Sequence, residues 1–188
     1  MKLLFLMLTI LLPSLAQAQI YGLLQGGYSK LSQDSLSDHK VYPTGTTYAA
    51  GIGIRKEYFE LEASFQKFSG KGEIDHDGQK NTLKHEQASV LFALNFYLSK
   101  RFYARLGYGF HKADQTLEKE ISEASAAGAR KAYGIKEDVL TDGILYGVGF
   151  VILDGTRVSL YTQIENASMT SLGASAWNGV LGLKIYTK

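Results

Sequence analysis

Between Phe59 and Gln66 the chain alternates without a fault: Phe59, Leu61, Ala63 and Phe65 against Glu60, Glu62, Ser64 and Gln66. A period of two puts these sets on opposite faces of one β-strand. One face is wholly apolar and the other is charged or polar, so each must meet a different environment. A soluble sandwich offers a core and water. A membrane barrel offers lipid outside and a polar lumen inside.

The same pattern returns seven times. Tyr48, Ala50, Ile52 and Ile54 alternate with Thr47, Ala49, Gly51, Gly53 and Arg55. Further runs lie near 85–97, 102–112, 143–153, 156–166 and 177–187. The run near 20–32 is blurred by adjacent Leu23 and Leu24 and by Gly26-Gly27, and it still counts as a strand. Each of the eight is close to the roughly 9–11 residues that a tilted membrane strand needs.

The links between runs alternate in length. Those at 56–58, 98–101 and 153–156 are tight, the last carrying Asp154-Gly155, a hairpin signal. Those at about 33–45, 70–84, 113–142 and 167–176 are longer and polar. Short periplasmic turns and longer outer loops are the habit of an even-stranded outer-membrane barrel. A soluble Greek key has no reason for such regularity.

The N-terminus specifies the route. Lys2 precedes the apolar run Leu3–Leu12, and Ala16-Gln17-Ala18 supplies small residues at the spacing of a signal-peptidase site. The run is shorter than the ~20 residues of a spanning helix. A cleaved leader at 1–18 and a barrel domain at 19–188 are therefore expected. An uncleaved N-terminal anchor is the competing reading.

Composition agrees. The chain has 20 Gly, 12 Tyr, no Cys and a net charge of +2 with both signs scattered. No disulfide can staple it, and no basic stripe suggests a nucleic-acid surface. Gly51, Gly53, Gly107, Gly109, Gly147 and Gly149 all fall on the polar-face parity. Small residues inside a narrow barrel make room for long ones opposite. Tyr21, Tyr48, Phe59, Phe65, Phe96, Phe102, Phe110 and Trp177 lie near strand ends, where interfacial girdles form. The predicted fold is all-β, an eight-stranded antiparallel up-and-down transmembrane β-barrel.

By parity the lumen receives Arg55, Glu60, Glu62, Arg105, Arg157, Glu165 and Lys184. An eight-stranded barrel is just wide enough for side chains to fill, so these charges should pair across it. A structural plug of ion pairs is the favoured reading, and a gated narrow ion path is the alternative. His39, His76, His85 and His111 are expected in or near the outer loops, without recognised metal-ligand spacing. No metal or other cofactor is expected.

The apolar leader, the alternating strands and segments such as Tyr108-Gly109-Phe110-His111 and Leu145-Tyr146-Gly147-Val148-Gly149-Phe150 resemble the small porin-like outer-membrane barrels. That group includes the OmpA membrane domain and the OmpX-like and opacity-type adhesins. The resemblance covers nearly all of the mature chain and speaks to fold more than activity. It departs at Ile185-Tyr186-Thr187-Lys188, where such barrels end on an aromatic residue.

The resemblance implies a Gram-negative outer membrane, with outer-membrane lipid and lipopolysaccharide as partners. Some barrels of this size modify lipid A. Their deacylases carry a His-x-Ser element that is not seen after His85 or His111, and no Gly-x-Ser-x-Gly elbow occurs. An enzyme is therefore not expected. The long link 113–142 mixes charges around Ala124–Ala129 and is the candidate surface for an extracellular ligand, as a helical excursion or as projecting strands. A structural or surface-interaction role, adhesin-like, is the leading expectation. A narrow channel and a lipid A-modifying enzyme follow it.

Overall fold

The computed structural model describes residues 18–33, 41–76, 78–118 and 123–187. Apart from Ala18, the expected leader lies outside the described residues, as do His39, Asp77 and Lys188.

Eight strands follow one another: β1 (Gln19–Gln33), β2 (Thr44–Lys56), β3 (Phe59–His76), β4 (Gln79–Tyr97), β5 (Phe102–Leu117), β6 (Val139–Asp154), β7 (Val158–Met169) and β8 (Ala174–Tyr186). Each pairs antiparallel with the next, and β8 pairs with β1, closing a barrel without free edges. The first run's blurred pattern resolves cleanly. Tyr21, Leu23, Gln25, Ser29 and Leu31 point inward and are buried, while Leu24 and Tyr28 face out.

The outside is the face a soluble protein would hide. Leu24, Ile52, Leu61, Phe92, Leu106, Ile144, Val148, Ile164 and Leu181 are all exposed. Such a continuous apolar belt marks contact with a lipid phase. The barrel interior holds the charged, amide and hydroxyl groups.

The links at 70–84 and 167–176 need correction, while 113–142 holds both the helix and the projecting strands offered for it. The stretch 70–84 is mostly strand: β3 and β4 run on to His76 and from Gln79, leaving a hairpin turn at 77–78. Outside a bilayer both faces of a strand can be polar, so the sequence contrast that marks strands disappears there. The stretch 113–142 contains the end of β5, helix α1 (Glu123–Tyr133) and the start of β6. Helix α1 ends at Gly134, φ 61°, and Ile135 N donates to Arg130 O at 2.9 Å, the bond that closes a Schellman cap. The stretch 167–176 is largely strand around the 3-10 turn Thr170–Leu172.

Helix α1 braces the projecting hairpin. Ala129 and Tyr133 pack with Val41, Ile74 and Leu83 in a small apolar cluster. The Tyr133 hydroxyl donates to Asp75 O. Lys71 and Lys84, neighbours across β3 and β4, reach Glu118 at 2.9 and 3.3 Å. Hydrogen bonds from Lys71 and then Lys84 hold the Glu118 carboxyl below its ordinary range.

Candidate functional site: the lumen and the outer rim

Lumen-facing tyrosines organise the half of the barrel nearest the tight turns. Tyr21, Tyr103 and Tyr161 stand directly opposite Gly53, Gly149 and Gly182 on the next strand. Each ring lies across its glycine, because a Cβ there would fall among the ring atoms. Only glycine leaves room for that close approach. Tyr21 therefore belongs to the lumen, not to the girdle. It is fully buried, and its hydroxyl donates to Glu62 Oε1 at 3.0 Å.

The rings surround Lys184, whose Nζ lies 4.9 Å from the Tyr21 and Tyr161 centroids and 5.4 Å from that of Tyr103. Lys184 bonds Glu60 and lies 3.2 Å from Glu62 Oε1. Glu60 also accepts from the Tyr97 hydroxyl at 2.8 Å and from Asn95 Nδ2 at 3.1 Å. Arg105 bonds Glu62, donates to Asn95 Oδ1 at 2.9 Å, and has Nε 3.0 Å from Glu165 Oε2. Glu165 accepts further bonds from Gln66, Gln163 and Asn178. The buried carboxylates thus face cations or amides on several sides, as desolvated charge requires.

Arg55 sits lower. It donates to both carboxylate oxygens of Asp154 at 3.0 and 3.3 Å and to the Tyr186 hydroxyl at 3.0 Å, has Nε 3.8 Å from Glu60 Oε1, and lies over the Tyr97 ring. Asp154 was absent from the lumen set read from sequence, because it stands at the β6–β7 turn. The Asp-Gly turn signal itself could have pointed to it.

Six of the seven sequence-derived residues, Arg55, Glu60, Glu62, Arg105, Glu165 and Lys184, come together in this web. Arg157 does not. It is an exposed residue in the turn that precedes β7, and its backbone carbonyl accepts from Tyr186 N at 2.9 Å. Arg157 precedes the first residue of β7, where the alternation no longer maps to the barrel wall.

The histidine reading also changes. His85 and His111 are buried inside the barrel, in an uncharged layer. Gln87 Nε2 donates to Ser89 Oγ at 2.9 Å and lies 3.1 Å from His111 Nδ1. Gln115 Nε2 lies 3.2 Å from His85 Nδ1. Toward the outer end, Leu31, Phe68, Ala113, Met169, Leu172, Ala174 and Ala176 form an apolar plug. The amides and the apolar plug carry no charge, so the pattern of charged residues along the strands does not reveal them. Among the described residues no group of three or more His, Asp or Glu is placed to hold a metal ion.

No protein-family model matches the sequence, and no curated protein matches it. Solved structures do. Neisserial surface protein A is 12% identical over 89% of this chain and 97% of its own, with a TM-score of 0.52. Outer membrane protein OprG from Pseudomonas aeruginosa is 12% identical over 89% and 95%, with a TM-score of 0.51. The chain folds as a small outer-membrane β-barrel. Ail, the attachment invasion locus protein of Yersinia pestis, solved with the heparin analogue sucrose octasulfate, is also similar. It is 14% identical over 90% of this chain and 99% of its own, with a TM-score of 0.50. At these identities the likeness is one of fold.

Proposed function

We propose that this protein is a structural and surface-interaction protein of the outer membrane, a sealed barrel that holds its outer loops in a fixed arrangement. The leader 1–18 is removed and residues 19–188 insert, with lipid and lipopolysaccharide around the apolar belt. The carrying observation is the division of the molecule. Its lumen is crossed by ion pairs, an amide layer and an apolar plug, while β3, β4 and α1 build a braced platform above the belt.

Energy invested in the lumen makes a rigid post, and rigid posts present loops. Ail, a barrel of this fold solved in complex with the heparin analogue sucrose octasulfate, supports reading the loops as an interaction surface. The channel reading needs a continuous path past Lys184, Arg105 and the plug. No catalytic step belongs to such a role.

The test is adhesion of cells bearing the protein to heparin-coated and bare surfaces. One variant replaces residues 123–133 with a Gly-Ser linker of equal length. The proposal expects binding by the native protein and loss in the variant, at equal surface amounts. Equal binding by both would remove α1 from the interaction surface.

A further inference from the structure

One outward-facing row does not fit a purely lipid-facing wall. Lys30 on β1 stands opposite Trp177 on β8, Trp177 opposite Asn166 on β7, and Asn166 opposite Tyr146 on β6. Asn166 has the outward parity, since Glu165 beside it binds in the lumen. Yet it is only 3% exposed. Tyr146 and Trp177 flank it, ring centroids 6.2 Å apart and edge to face. Its amide has no hydrogen-bond partner among the described residues, an arrangement that costs free energy on a wall facing lipid.

Lys30 adds charge to the row. Its ammonium lies 4.6 Å from the Tyr42 ring centroid and has no carboxylate partner among the described residues. The outward residues two places away are Tyr28 and Ser32 on β1, Ser175 and Gly179 on β8, and Ile164 and Ser168 on β7, none of them acidic. Lys71, Lys84 and Lys112, by contrast, are each matched by a carboxylate.

The height of the row matters. Asn166 lies three residues before the end of β7 and Trp177 three after the start of β8, just below the Thr170–Leu172 turn. Below it the wall is apolar, with Ile164 and Leu181 exposed. The row therefore marks the upper edge of the belt, at the level of outer-leaflet headgroups.

We infer that Lys30, Trp177, Asn166 and Tyr146 form a lateral binding site for the phosphorylated amino-sugar headgroup of an outer-leaflet glycolipid. Aromatic edges and faces suit the C–H surface of a sugar ring, the amide suits its hydroxyl or N-acyl groups, and the unpaired ammonium suits phosphate. A glycerophospholipid offers the phosphate without the ring. This inference rests on the outer-membrane reading above.

Trp177 is the chain's single tryptophan and so reports on the site directly. The full-length mature protein would be inserted into phosphatidylcholine vesicles, and its emission followed as lipid A, dephosphorylated lipid A or phosphatidylglycerol is added. A saturable change is expected with lipid A, at a mole fraction roughly tenfold below that needed for phosphatidylglycerol. Lys30→Gln should erase most of the advantage over dephosphorylated lipid A, and Lys30→Arg should keep it. Asn166→Leu, which removes the amide but fills the space, should weaken lipid A about tenfold.

Heat-modifiability on a gel is read on every sample. A compact, heat-modifiable form with no preference for lipid A, or with variants that respond like the native protein, overturns the site alone. Absence of the compact form in the native protein overturns the barrel reading and the site with it.

Discussion

Arg105 on β5 reaches across the lumen to Glu62 on β3, 43 residues earlier in the chain and two strands away in the barrel wall. Both side chains are buried, and each has further partners: Asn95 and Glu165 for Arg105, Tyr21 and Lys184 for Glu62. Breaking such a pair strands a charge away from water. Glu62→Gln and Arg105→Met should each cost about 3–5 kcal/mol, and the double variant less than their sum. Urea unfolding in lipid vesicles gives the cycle. Strictly additive losses would mean that the two charges act independently.

The Tyr103–Gly149 contact gives a second prediction. The ring occupies the volume where a side chain at Gly149 would begin, so Gly149→Val must push the tyrosine or part β5 from β6. Overpacking of this kind costs about 1–3 kcal/mol. Tyr103→Leu, introduced with Gly149→Val, should recover part of the loss. A neutral Gly149→Val would show that the ring does not lie there.

Two faces of the wall should respond oppositely to polarity. Leu106 is exposed on the belt. Leu106→Arg should destabilise the barrel in lipid by ~2–4 kcal/mol if it sits near the midplane. Ser64 points inward with a buried hydroxyl that lacks a partner among the described residues. Ser64→Ala should cost less than about 0.5 kcal/mol or stabilise slightly. Gly107, one residue from Leu106, faces inward, where an added Cβ would approach Ala93 Cα to 3.0 Å. Equal sensitivity at Leu106 and Ser64 would reverse the assignment of inside and outside.

Strands were legible where their two faces meet different media. Phe59–Gln66 and Ala88–Phe96 announce themselves because lipid and lumen demand opposite residues. The same strands above the belt, Ser69–His76 and Gln79–Glu86, meet water on the outside, and their sequence reads as a link. Tyrosine is ambiguous by chemistry, since an interface and a polar lumen both suit it; only its opposite glycine settles Tyr21. Arg157 shows the limit of parity at a turn, where the alternation no longer maps to a wall. Asn166 shows a different limit: its parity was outward, but nothing in the sequence places it between Tyr146 and Trp177.

Orientation can be read by labelling, because the chain has no native cysteine. Lys131 on α1 and Tyr58 in the β2–β3 turn are both exposed. On intact cells a membrane-impermeant maleimide should label Lys131→Cys and spare Tyr58→Cys until the outer membrane is opened. The reverse pattern would invert the barrel.

The most direct test of a sealed lumen is electrical. Single insertions of the native protein into a planar bilayer at neutral pH should give no sustained step of conductance, since Lys184, Arg105 and their carboxylates occupy the cross-section that ions would need. Insertion itself is verified by recovering the heat-modifiable form from the same bilayer preparation. Stable, ohmic conductance steps from the native protein would contradict a sealed post and establish an open path through the barrel.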